Sequence, residues 1–487
     1  MGSWCITLIS GHRVRVQCEE ELICSFELAV PRSSFDQPVG CCLAVCLHPQ
    51  ITLSETRFAE ARGCRLRSMR DEHFLIGQAT HGGIHLSHDA RRRHVAVFGK
   101  SGAGKTTFLA NLAVHDLNRG AGLCVIDPHG DLAASLLDFI PKARTNATIY
   151  FNPNDRNHCV GLNLFADVPE AARPTAAAAV IAAFSHIFGL SPDTTPRLLH
   201  YLRFSVLALL DAPGMTLVHL PLMLTDARFR SQVLTHVNNP VVQRFWQIEF
   251  EQNSKRYNAE AMAPVLSRIQ AFLVYPVIRN IIGQRTSTFD LRRAMDERLV
   301  IIANLAKGEI GEEASNLLGS LLVSNIQLAA MSRIDTPPEE RADFGLIVDE
   351  FANFTTSSFA SLLSEARKMN VNLTLAGQYR SQAPEEIFDA VAGNAGAMIV
   401  FRVGAPDAEY FSREFAPVSP EALTDLPAFQ AYAKSFDRTG GRRVECRPYP
   451  KPSGQRAHLV INASRRGFTR PARKVARQVD DILRRVS

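Results

Sequence analysis

Residues Gly99, Lys100, Ser101, Gly102, Ala103, Gly104, Lys105, Thr106 and Thr107 fit the spacing G-x-x-x-x-G-K-[ST], a loop built to hold phosphate. Glycines at 99, 102 and 104 permit the tight turns that aim successive backbone N–H groups at β- and γ-phosphates, and the positive end of a following helix adds to the attraction. Lys105 supplies a mobile cation, and the Thr106 hydroxyl suits a place on Mg2+. The apolar run Val95 to Phe98 provides the strand that such a loop must follow, while Phe108, Leu109, Leu112 and Ala113 recur at helical spacing after it. The alternative is a glycine-rich turn with an incidental lysine, and the agreement of strand, loop and helix argues against it.

A second group of residues completes the chemistry. Phe344 to Val348 is an apolar strand ending in Asp349 and Glu350. The first acid suits the magnesium shell, and the second suits orienting and deprotonating an attacking water. An apolar strand ending in an acidic turn is common, so the pair gains its meaning from the upstream loop. Val371 to Ala376 reads as a further strand that delivers Gln378 at its carboxyl end, where ligands gather in parallel sheets. An amide there can contact the γ-phosphate or the water; an exposed loop glutamine is the other reading.

These residues need a scaffold, and the chain supplies an α/β pattern. Buried strands are expected at 95–98, 122–126, 299–303, 345–348, 371–376 and 397–403, with a helix from Glu312 to Arg333. Between about Pro169 and Gly283 strand signals vanish, and amphipathic runs such as Thr195 to Leu210 and Ala259 to Leu273 predict an inserted all-helical domain. That insert explains the long separation of Lys105 from Asp349 and excludes a minimal kinase-like or GTPase-like domain. The expected organisation is a small β-rich module over 1–90, core segments over 91–168 and 286–445 flanking an insert at 169–285, and a basic segment over 446–487.

Composition is that of an ordinary globular protein: 487 residues, 46% hydrophobic, 21% charged, with a formal net charge of +6. The charge is uneven, since residues 438–487 hold fourteen Lys and Arg against three acids. Such a segment could grip phosphates or form a solvated surface, and Arg62, Arg65, Arg67 and Arg70 carry the same ambiguity. Seven of the ten cysteines (Cys5, Cys18, Cys24, Cys41, Cys42, Cys46 and Cys64) crowd the first segment without C-x-x-C pairing, which suggests reduced thiols rather than zinc. The richest apolar run, Ala176 to Leu190, is short and carries Ser185 and His186, so a buried helix is expected rather than a membrane span. With no signal-peptide pattern at the start, a cytoplasmic protein is expected.

The motifs together resemble the HerA/FtsK superfamily of DNA-pumping ATPases, and within it the conjugative coupling ATPases of type IV secretion systems (VirD4/TraG/TraD-like). The similarity runs from about Gly77 to Arg470. It rests on Gly99 to Thr107, Ile126 to Asp131, Asn304 to Gly308 with Leu318 to Leu322, Val348 to Phe351, Ala376 to Gln378, and Gly393 to Gly396 leading to Val400 to Val403. The resemblance implies a RecA-like P-loop NTPase core interrupted by the all-α domain, assembled as a homo-hexamer with ATP and Mg2+ bound between subunits and DNA in the central channel. It also implies that Arg367, followed by Lys368 and eleven residues before Gln378, reaches into the neighbouring subunit's site. Without it, Arg367 reads as a solvated residue on the helix of Leu362 and Leu363. Arg402 competes for the role.

Three functions follow as expectations. The first is an ATP-driven DNA translocase working with type IV secretion or relaxosome proteins, recruited to the inner membrane by partners because no spanning segment is visible. The second is a nucleotide-dependent assembly or secretion ATPase that does not move DNA, with Trp246 and residues 248–258 of the insert as its docking surface. The third is a soluble HerA-like ATPase of repair or defence, acting with a nuclease.

Overall fold

The computed structural model describes strands within residues 1–29 and residues 73–484 apart from 81, 357, 358, 437–439 and 453. Two compact units result, 1–71 and 72–487. In the first, β1 (Trp4–Ser10), β2 (Arg13–Cys18) and β3 (Ser25–Ala29) form an antiparallel meander, with Trp4 opposite Cys18 and Val16 opposite Phe26. The Arg62–Arg70 cluster and the side chains of the seven early cysteines lie outside the described residues.

The second unit is built on an eleven-stranded sheet. In chain order its strands are β4 (Phe74–Ala79), β5 (Gly82–Leu86), β6 (Val95–Phe98), β7 (Gly122–Asp127), β8 (Thr148–Phe151), β10 (Val300–Asn304), β11 (Phe344–Val348), β12 (Val371–Gly377), β13 (Ala397–Val400), β14 (Gln430–Ser435) and β15 (Arg442–Cys446); β9 (His158–Cys159) pairs separately with β16 (Arg470–Pro471). Across the sheet the order is β5-β4-β15-β14-β13-β6-β12-β11-β7-β10-β8. The run from β13 to β8 is parallel, and the four strands beyond β13 are antiparallel.

Several of these strands differ from the sequence expectation, and β8, β14 and β15 lie where none was expected. Strands β4 and β5, expected in the N-terminal module, extend the large sheet, with Gly77 opposite Cys446. Strand β13 stops at Val400 rather than 403.

The central strands are apolar on both faces because both faces are covered. Val95 and Val97 turn toward the helix Lys105–Arg119, whose Phe108, Leu109 and Leu112 are buried. Ala96 and Phe98 turn the other way, into a core shared with Leu317, Leu318, Leu321 and Leu322 of the helix Glu312–Ser332 and with the helices of residues 170–282. Helices Arg173–Phe188, Pro196–Asp211 and Lys255–Leu273 confirm the all-helical character of that stretch.

Two segments, Glu170–Phe188 and Glu312–Asp335, are long and apolar enough by composition to cross a membrane. Val180, Ala183, Leu317 and Leu321 of these segments are buried in one protein core. Trp246 is also buried, at 1% exposure, which removes it from any docking surface. It follows Phe245 into the π-helical turn Phe245–Glu249, whose extra residue per turn changes which side chains face inward.

The basic C-terminal stretch is a strap. Arg465 pairs with Asp155 at 2.7 Å, and Arg470 donates to Gln284 Oε1 at 2.7 Å and to the Thr286 carbonyl at 2.8 Å. Its last helix, Ala472–Arg484, buries Val475 and Val479, and Asp480 of that helix meets Arg279 of the insert at 3.2 Å. These arginines are committed to the fold.

Candidate functional site

Parallel strands deliver their loops to one edge, and the chemically interesting residues converge there. Strand β6 ends at Phe98 and the chain turns at once into Gly99. The Gly99 N–H donates to Gly377 O at 3.2 Å and the Lys100 N–H to Arg402 O at 2.8 Å, so the loop is tied to the ends of β12 and the chain beyond β13. Gly104 lies at φ +123°, and a Cβ there would stand 3.0 Å from the Phe401 ring. Glycine is required at this position by both backbone and space.

The helix Lys105–Arg119 begins directly after Gly104, with no side-chain cap and no acidic residue in its first turn. Its first N–H groups lack intrahelical partners and face the loop, which is the arrangement that attracts an anion. Lys105 is buried, and its Nζ donates to Gly99 O at 2.6 Å and Lys100 O at 3.4 Å. Burial pulls its pKa down while Glu350 and Asp349 push it back up, so the ammonium stands in the field of the acids. Lys100, Ser101, Gly102 and Thr106 are exposed at the mouth, and Ala103 and Thr107 are buried beneath it.

Strand β12 lies between the loop strand β6 and the acidic strand β11. This order leaves a gap one strand wide between phosphate loop and acids, and Gln378 fills it from the end of β12. Gln378 Nε2 donates to Glu350 Oε1 at 2.7 Å. Glu350 is buried in the left-handed region, φ +48°, a conformation that non-glycine residues keep where surroundings dictate it. Its N–H donates to Asp349 Oδ1 at 3.0 Å, and the Asp349 N–H donates to Ile126 O at 3.1 Å, continuing the β11–β7 ladder.

Asp349 is also buried. Burial, then the charges of Glu350 and Asp127, push its carboxyl up to about 7, against the pull of Lys105. Three carboxylates at one buried edge repel one another, and a divalent cation relieves that repulsion. The donor set therefore fits Mg2+, with Asp349 and the exposed Thr106 hydroxyl as the residues able to hold it; a bound cation would neutralise phosphate charge.

Asp127 was legible only as part of the Ile126–Asp131 signature. Its Oδ1 accepts from the His129 N–H at 2.8 Å and its Oδ2 from the Ala133 N–H at 2.9 Å, which fixes the turn beyond β7 beside the acids.

Arg367 sits elsewhere. It is exposed in the turn Ala366–Met369, which precedes β12, so it lies at the amino edge of the sheet, the full length of a seven-residue strand from Gln378. That is roughly 20 Å. Among the described residues nothing pairs with its guanidinium. His94, at the start of β6, anchors this region: its Nδ1 accepts from the Leu373 N–H at 3.0 Å, and its Nε2 donates to Leu363 O at 2.9 Å. Arg402, half-buried, is beside the loop of its own chain through the bond from Lys100.

The three cysteines with described side chains, Cys124, Cys159 and Cys446, are buried and free, and burial raises the thiol pKa of each. Among the described residues no group of three or more His, Cys, Asp or Glu is placed to hold a metal ion by itself.

Comparison with known proteins agrees with this layout. The family "Helicase HerA, central domain" matches residues 76–210. No curated protein matches by sequence. Among solved structures, the bacterial conjugative coupling protein TrwBdeltaN70 shares 17% identity at a TM-score of 0.57, over 81% of this chain and 94% of that one. Plasmid coupling protein TrwB in complex with the ATP analogue ADPNP gives 17% and 0.58 over the same shares. VirB4 of Thermoanaerobacter pseudethanolicus gives 13% and 0.51, over 77% of this chain and 96% of that one. In architecture the chain has the RecA-like P-loop fold of TrwB, and over residues 76–210 it is similar to the central domain of helicase HerA.

Proposed function

We propose that this chain is an Mg2+-dependent ATPase of type IV secretion or conjugation, and that it works as a ring of identical subunits to move DNA. The observation that carries the reading is the Glu350–Gln378 contact at 2.7 Å, one strand away from the Lys105 loop. The loop holds the phosphates, Glu350 takes the proton of the attacking water, and Gln378 holds the Glu350 carboxylate in place. When the terminal phosphate leaves, Gln378 is the group placed to pass the change into β12. That strand leads back to Arg367, which is too far from its own loop to act there and is free to enter a neighbour's site. TrwB is described as a conjugative coupling protein and has been seen with ADPNP and with ADP and Mg2+, which favours the same nucleotide and metal here.

ATP turnover is the test. DNA stimulates hydrolysis by the wild-type chain, and Glu350→Gln abolishes it while ATP binding persists. Turnover indifferent to both single- and double-stranded DNA contradicts the DNA-moving form. It favours the second reading, an assembly or secretion ATPase, which the likeness to VirB4 keeps in play.

A further inference from the structure

The loop has two flanks, and the acids occupy only one. On the other flank β14 begins at Gln430, antiparallel to β13, with Val400 opposite Tyr432, and the residue before it is Phe429. Its N–H donates to Ala103 O of the loop at 2.8 Å, and its carbonyl accepts from the Cys446 N–H at 2.9 Å. A Cβ placed on Gly104 would stand 3.2 Å from Phe429 Cα and 3.3 Å from its ring Cδ1. The ring thus lies along the loop at the helix entrance, yet it is 48% exposed, unlike Phe401 beside it, which is fully buried. Phe429 also has φ +65°, a costly conformation for a bulky residue and one that glycine takes freely. The fold keeps an aromatic ring where the backbone favours none, and leaves its face to solvent.

We infer that the face of Phe429 is where the base of the bound nucleotide stacks. The inference rests on the nucleotide reading of the loop. A terminal phosphate directed at Glu350 and Gln378 lies on the β12 and β11 side, so the other end of the ligand emerges on the β13 and β14 side, where this ring is. A phenyl face carries no donor or acceptor and attracts any flat π-system, so the contact grips a purine by area without distinguishing adenine from guanine by its edge.

The experiment compares two probes on the whole chain in Mg2+, ATP and inorganic tripolyphosphate, which share the phosphates and differ in the base. Phe429→Gly removes the ring and suits the left-handed backbone, so relief of that strain offsets part of the lost packing and the variant folds, as its melting curve checks. It binds ATP roughly tenfold more weakly with tripolyphosphate affinity unchanged, and Phe429→Trp keeps ATP affinity. GTP affinity falls with that for ATP in the glycine variant. Equal losses for ATP and tripolyphosphate overturn the inference, because the ring would then only brace the loop; so does an unchanged ATP affinity. A wild-type chain that binds neither probe overturns the nucleotide reading itself, and the inference with it.

Discussion

On the proposed mechanism Lys105, Glu350 and Gln378 divide one task, and each removal has a different signature. Lys105→Ala takes away the buried ammonium that faces the loop carbonyls and the acids, so both ATP affinity and turnover fall, the latter roughly a hundredfold or more. Glu350→Gln keeps the shape and the Gln378 contact but removes the base, so nucleotide binding survives while turnover is lost. Gln378→Ala leaves binding near wild type and lowers kcat, because it frees the Glu350 carboxylate without touching the loop; equal losses in kcat and affinity would instead place Gln378 on the phosphates. Equilibrium nucleotide binding and steady-state kinetics on the three variants separate these outcomes. All three residues were legible in the sequence, because strand ends and spacing fix them. Asp127 was visible only as a signature member, since its bonds to the His129 and Ala133 N–H groups depend on a turn that no periodicity reports.

At the scale of elements, the loop and the clamp at the opposite sheet edge are both open to test. Gly104→Ala sets a methyl at φ +123° against the Phe401 ring, and costs about 1–3 kcal/mol in chemical unfolding along with nucleotide affinity. His94 is held neutral by burial, with its pKa lowered from 6.5 to about 4. The unfolded chain binds that proton more readily, so the stability His94 contributes is full above pH 6.5 and is lost as pH falls toward 4, by about 3 kcal/mol in all. His94→Asn, which tolerates positive φ, should therefore show a stability deficit against wild type at pH 7 that shrinks through this window in urea titrations; a deficit independent of pH contradicts the assignment. The six buried strands, the insert and the helix Glu312–Ser332 could be read from period and length. Strands β14 and β15 could not, since β15 buries only Val444 and Cys446 and looks like a polar loop in sequence. Nor could the place of β4, because Gly77 meets Cys446 across almost the whole chain. Trp246 misled for a local reason: its position in a π-helical turn departs from the helical period that would forecast which way it faces.

For the whole molecule, distance within one chain is decisive. On the proposed ring mechanism Arg367 and the phosphate loop serve one site, but they stand at the amino and carboxyl edges of the same sheet, so one subunit cannot bring them together. Two copies can. The C-terminal strap supports such use, since Arg465 with Asp155 and Arg470 with Gln284 tie it to the motor core and to the end of the helical insert. The most direct measurement is ATP turnover as a function of subunit concentration, made on Arg367→Ala alone, Lys105→Ala alone, and the two mixed. The account predicts that each variant is inactive by itself at every concentration, and that the mixture recovers DNA-stimulated turnover rising cooperatively with concentration, because an intact loop in one copy meets an intact Arg367 in the next. A mixture as inactive as its components, or an Arg367→Ala chain with full activity that is flat in concentration, would contradict it.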